Sequence, residues 1–156
     1  MATLVVYYSR TGNTKKIGDE IAQALGCDKE ELIDTKKRSG MFGYLIGGYD
    51  ATRKNLTILK DLQKNLMDYD LVIVGTPVWS WNVSPAVRTF LLHNKEKIKN
   101  LAFFATEGGS GDERVFAEME SIFGKRPVAT SVIKTKYIVN NNYSDKIDLF
   151  VNEIKR

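Results

Sequence analysis

Ser9, Thr11 and Thr14 carry three short hydroxyls around Gly12 and Asn13, directly after the apolar run Leu4-Val5-Val6-Tyr7-Tyr8. A buried strand that ends in hydroxyl, glycine and amide residues and then opens a helix can hold a phosphate. The helix opening near Asn13 offers unpaired backbone N–H groups and the positive end of its macrodipole. The hydroxyls add donors, and Gly12 lets the backbone close tightly around the anion. Ser9-Arg10-Thr11-Gly12-Asn13-Thr14 therefore reads as a cradle for a terminal monophosphate. The spacing argues against a nucleotide-triphosphate loop, which ends in Gly-Lys-Ser/Thr, because Lys15 and Lys16 follow Thr14 here. It also argues against a dinucleotide fingerprint, since Gly12 is followed by no glycine before Gly18. The plain alternative is a strand-to-helix turn with Ser or Thr as N-cap.

Two further loops bear on that choice. Leu71-Val72-Ile73-Val74-Gly75 ends in Thr76-Pro77-Val78-Trp79-Ser80-Trp81-Asn82, and Leu101-Ala102-Phe103-Phe104-Ala105 ends in Thr106-Glu107-Gly108-Gly109-Ser110-Gly111-Asp112. Three strands thus deliver a phosphate cradle, an aromatic loop and a glycine-rich loop. In an open parallel sheet such carboxyl-end loops meet at the switch point, where ligands bind. The combination suits a flat heteroaromatic with a phosphate tail.

These residues resemble the flavodoxin family, and the resemblance extends over nearly the whole chain. It implies an α/β fold, a doubly wound open sheet of five parallel strands in the order 2-1-3-4-5, with FMN at the switch point. It implies phosphate contacts from Ser9, Arg10, Thr11, Gly12, Asn13 and Thr14. A first ring loop would comprise Thr76, Pro77, Val78, Trp79, Ser80 and Trp81, with Trp79 the better candidate to border the ring. The second would comprise Thr106, Glu107, Gly108, Gly109 and Asp112. No catalytic side chain and no metal ligand is assigned. A response-regulator receiver shares the strand order, but its acidic pair and phosphorylatable aspartate are replaced here by Ser9-Arg10 and Thr76-Pro77.

The elements that must position these loops follow from periodicity. Thr3–Tyr8 reads as the first strand, and Ile17, Ile21 and Leu25 mark one face of a helix over 13–25 that Gly26 stops. Glu31–Asp34 is the second-strand candidate. A helix is expected over 41–52, with Met41, Phe42, Tyr44, Leu45, Ile46 and Tyr49 as its core face, although Gly47-Gly48 and Arg53-Lys54 could form a mobile basic edge. Residues 55–70 read as helical or irregular. Ser84 and Pro85 open the next helix, and Val115, Phe116, Met119, Ile122 and Phe123 face inward on another that begins at Asp112. Thr130–Val139 is expected as one uninterrupted strand, and Ser144 as the cap of the last helix.

With 156 residues, 43% hydrophobic and 27% charged, the chain is expected to form one domain over 1–156 without disulfides. The lone Cys27 fits a reducing cytoplasm, and His93 reads as a helix C-terminal partner of the dipole. No apolar run reaches the length of a membrane span. The net charge of +4 accompanies no nucleic-acid signature, so a nucleic-acid partner is not expected.

The expected function is cytoplasmic electron transfer by an FMN-binding flavodoxin-like protein, with redox partner proteins. The alternative is an FMN-dependent NAD(P)H oxidoreductase that takes hydride from a nicotinamide and reduces a quinone, flavin or similar small acceptor. The resemblance places a glycine after the loop tryptophan in many carriers. Here Ser80 stands there, and a side chain disfavours positive φ. That missing glycine, and the lack of an outer-face aromatic over 106–112, favour the alternative. The small single domain, without a second nucleotide fold or a nicotinamide fingerprint, favours the carrier. The chain also departs from the family in being basic where carriers are usually acidic.

Overall fold

A computed structural model describes residues 1–36 and 40–156, the side chain of Tyr44 excepted. In chain order the elements are β1 (Thr3–Tyr7), α1 (Asn13–Leu25), β2 (Asp28–Glu31), α2 (Gly40–Thr52), β3 (Leu71–Trp79), β4 (Asn82–Val83), α3 (Pro85–Asn94), β5 (Leu101–Glu107), α4 (Asp112–Phe123), β6 (Thr130–Lys134), α5 (Thr135–Val139) and α6 (Ser144–Ile154). The long strands are parallel, in the order β2-β1-β3-β5-β6, and β4 folds back on β3 as an antiparallel hairpin. Without that hairpin strand, this is the expected 2-1-3-4-5 sheet.

Alternation along β1 sends Leu4 and Val6 to one face and Val5 and Tyr7 to the other. The first face packs with Val87 and Phe90 of α3 and Val115 and Met119 of α4. The second packs with Ile17 and Ile21 of α1 and Ile147 and Phe150 of α6. β1 is buried on both faces, which is why it reads as an unbroken apolar run. α1 closes as expected, with Gly26 at φ 61 donating its N–H to the carbonyls of Ala22 and Gln23.

Several boundaries differ from expectation. β2 lies at Asp28–Glu31 rather than 31–34, because an edge strand of sequence Asp-Lys-Glu-Glu has no hydrophobic pattern to read. Pairing with β1 sets its register, and the Tyr69 hydroxyl donates to Asp28 at 2.7 Å. The last strand stops at Lys134, and α5 begins at Thr135, whose hydroxyl donates to the Glu107 carbonyl at 3.0 Å. Residues 55–70 are largely irregular, with a 3₁₀ turn at Leu66–Asp68. Tyr143, not Ser144, occupies the N-cap of α6.

The largest correction concerns α2. The helix forms where expected, but the large side chains assigned to its core face point to solvent: Met41, Phe42, Leu45, Ile46 and Tyr49 are exposed, Phe42 at 79%. Its buried positions are Gly43, Gly47, Asp50 and Ala51. The cause is Trp79, whose ring fills the space beneath the helix; a Cβ on Gly47 would sit 2.9 Å from that ring.

Candidate functional site

The loop after β1 leaves the start of α1 open. Gly12 occupies the N-cap at φ 98, no side chain caps the helix, and its first turn holds no acidic residue. Gly12 N–H donates to Ser9 Oγ at 3.1 Å, which folds the loop back on itself. Thr14 is buried, and its hydroxyl lies 2.7 Å from that of Thr106 at the end of β5. One proton serves that bond, so the second hydroxyl proton of the pair remains a donor for another group.

The two lysines of this turn are committed elsewhere. Lys15 Nζ donates to Glu31 at 3.1 Å and to the Tyr7 hydroxyl at 3.2 Å, contacts that raise its pKa well above the ordinary lysine value. Tyr7 is itself pushed up to about 12, by burial first, with Asp19 adding and Lys15 opposing. Lys16 Nζ donates to Asn141 at 2.5 Å. Arg10 is the cation that faces the neighbouring loop, with its guanidinium carbon 5.9 Å from the Trp79 ring centroid.

The aromatic loop is a β-hairpin rather than a coil. β3 runs on through Thr76, Pro77 and Val78 to Trp79, which pairs with Asn82. Ser80 and Trp81 turn the chain with φ of 50° and 58°, which overturns the expectation that Ser80 avoids positive φ. A two-residue hairpin loop needs that conformation to match the twist of its strands. Each non-glycine residue held there costs about 1–2 kcal/mol, so the turn must be held by its surroundings. Trp81 Nε1 donates to Ser110 at 3.1 Å, and Asn82 Nδ2 donates to the Ser80 carbonyl at 2.5 Å. Gly111, at φ 125, lets the third loop approach: a Cβ there would stand 3.1 Å from Trp81 Cα. Asn82 Oδ1 is buried with no donor among the described residues, as in sites completed by a water or a ligand.

The two tryptophans have separate environments. Trp79 is only 8% exposed, edge-on to Tyr8 with centroids 5.6 Å apart and covered by Gly47. Trp81 is 58% exposed. The ring singled out from sequence is therefore a packing element beneath α2, and its neighbour is the one open to a ligand. Ser84 stands at the N-cap of α3 with Pro85 following it, as expected, but its side chain does not cap the helix: its hydroxyl accepts from Thr76 Oγ1 at 3.0 Å.

In the third loop, Thr106 and Glu107 turn inward. The Glu107 carboxylate accepts the Asp112 N–H at 3.2 Å and so caps α4. Burial raises its pKa, and the Asp112 carboxylate adds to the rise. Gly108 and Gly109 face open space where a Cβ would be.

The structure thus brings the three loops together: Thr14 with Thr106, Trp81 with Ser110, and Arg10 with Trp79. Sequence reasoning missed the parts of Gly47, Tyr8 and Asn82. Gly47 sits in a run of apolar residues, and only its inward placement reveals its use. An uncapped helix start for an anion, beside an exposed indole and an unobstructed glycine rim, fits a planar group with a phosphate tail. A cavity of about 490 Å³ lined in part by Leu62, Leu66, Phe90 and His93 lies apart from these loops.

Sheet order and loop cluster define a flavodoxin-like α/β protein. The flavodoxin family model matches residues 49–154, and the chain belongs to that family. No curated protein matches it. Among solved structures, a flavoprotein of Lactobacillus acidophilus in complex with FMN superposes with a TM-score of 0.69 at 22% identity, covering 90% of this chain and 97% of that one. A Bacteroides eggerthii protein provisionally named a flavoprotein gives 0.73 at 21% identity, covering 96% and 97%. Oxidised flavodoxin 1 of Bacillus cereus gives 0.57 at 15% identity, covering 100% and 99%.

Proposed function

We propose that this chain binds FMN at the carboxyl ends of β1, β3 and β5 and acts in electron transfer. The observation that carries the reading is the Thr14–Thr106 hydroxyl pair, which ties the phosphate cradle to a ring loop. The open amides at the start of α1, with the Ser9 and Thr11 hydroxyls, hold the phosphate. Arg10 supplies positive charge beside the hairpin. Trp81 borders the ring from the exposed side, and Gly108 and Gly109 leave its edge accessible. FMN supplies the redox chemistry when bound; the chain sets access and partner choice.

Mass analysis of the cofactor released from purified protein tests the assignment. FMN is the expected result; FAD, or a colourless protein that FMN cannot reconstitute, overturns it. The exposed Trp81 and open glycine rim also favour a second reading, in which a nicotinamide reaches the ring and a small acceptor follows. Rapid mixing with NADH and NADPH separates the two: prompt bleaching selects the reductase, and none selects the carrier that waits for a protein partner.

A further inference from the structure

α2 turns Met41, Phe42, Leu45, Ile46 and Tyr49 outward, a spacing that lines one helical face. Charge gathers on the same stretch. Residues 36–54 contain five Lys or Arg against one Asp, which leaves eighteen of each sign in the rest of the chain. That single acid, Asp50, is buried and paired with Lys36 at 2.6 Å, so α2 exposes no acidic side chain. Arg53 stacks on Tyr49 at 5.6 Å from the ring centroid, and Lys54 follows it at the helix end.

We propose that α2 is a docking surface for an anionic lipid membrane. A second copy of this chain is a poor occupant, because two such faces would bring like charges together. A protein interface carries about one hydrogen bond per 100–200 Å². Among the large side chains described on this face, the Tyr49 hydroxyl is the one polar group. Lipid demands no such pairing. An apolar helical face sinks into the headgroup–acyl boundary while basic residues meet the anionic headgroups, with tyrosine at the interface. Gly47 and Gly48 rest against Trp79 and Ser80, so docking sets the loop cluster beside the bilayer. This placement holds whichever cofactor the loops bind.

Flotation of the full chain, loaded with FMN, with vesicles tests the proposal. Vesicles of phosphatidylcholine mixed with phosphatidylglycerol are expected to bind it at least about tenfold better than phosphatidylcholine alone, with loss of binding at high salt. Leu45→Asp should abolish flotation, and Arg53→Gln with Lys54→Gln should reduce the preference for the anionic lipid severalfold. Circular dichroism melts verify that each variant is folded, and Phe42→Ser provides a milder apolar loss. The proposal is overturned if the wild-type chain fails to float with either lipid, if the folded variants float as well as wild type, or if light scattering shows a dimer that Leu45→Asp dissociates while lipid binding is absent.

Discussion

α1 and α2 both border the loop cluster, yet they are built in opposite senses. α1 buries Ile17, Ile21 and Ala22 against the sheet and turns its lysines out. α2 buries Gly43, Gly47, Asp50 and Ala51 and turns Met41, Phe42, Leu45, Ile46 and Tyr49 out. Which side chains a helix buries depends on what the neighbouring element already fills. β1 and β5 leave room for isoleucines, whereas Trp79 occupies the space under α2 and accepts only a glycine there. Fully burying one Leu or Ile gains about 1.5–3 kcal/mol, a gain that α2 forgoes and the indole of Trp79 supplies from the other side.

The sharpest way to break the α2 arrangement is Arg88. Its guanidinium pairs with Glu118 at 2.7 Å and donates to the carbonyls of Val83, Ala51 and Asn55. It therefore ties the hairpin base to the end of α2. Arg88→Met should cost about 3–5 kcal/mol in urea unfolding, because Glu118, its side chain only 10% exposed, is left unpaired. Adding Glu118→Leu should recover most of that loss.

Gly47→Ala is expected to cost about 1–3 kcal/mol, because the ring of Trp79 is too constrained to yield. Gly18→Ala in α1 meets the Tyr7 ring at 2.4 Å and should cost as much or more. The two differ in their functional reach: Gly47→Ala should alter tryptophan emission and FMN affinity together, while Gly18→Ala alters stability first. If Gly47→Ala melts and binds like wild type, Trp79 does not set the inner face of α2.

In the phosphate loop, Ser9→Ala should raise the FMN dissociation constant roughly tenfold, since a hydrogen bond to a charged group contributes about 1.5–3 kcal/mol. Thr14→Val and Thr106→Val should each weaken binding, and the double variant should lose less than the sum, because the two hydroxyls act as one unit. Additive losses would separate the cradle from the ring loop.

Smaller still is a pH effect at Glu107. Its pKa is raised in the folded chain, so the folded state holds the proton more tightly than the unfolded one. The stability contributed by that protonation is present below the unfolded glutamate value and is lost as pH rises through the folded value. Glu107→Gln should flatten that decline in melts followed across mildly acidic pH. Smallest of all, Leu45→Ser should change stability by no more than about 0.5 kcal/mol, against a multi-kcal/mol loss for Ile21→Ser, which buries a hydroxyl in the core. An unstable Leu45→Ser would mean that the outer face of α2 is packed.

The sheet order and the places of its carboxyl-end loops were legible because buried parallel strands leave continuous apolar runs, and loop chemistry follows each run directly in the chain. The start of α1 was legible for the same local reason: Gly12 and its hydroxyl neighbours are adjacent in sequence. Tertiary structure alone decided the rest. A helical stripe has no label saying which side meets the protein: its apolar pattern points inward for α2, whereas the Trp79 ring occupies that space and turns the stripe to solvent. Ser80 and Trp81 carry no sign of positive φ, because the twist of a hairpin imposes it over their own preference. Lys15 directly follows the cradle in the chain, but the Tyr7 hydroxyl and Glu31 on the neighbouring strand draw its ammonium away. Sequence fixes what is set by neighbours along the chain; which of two sides a residue faces is set by what arrives from elsewhere.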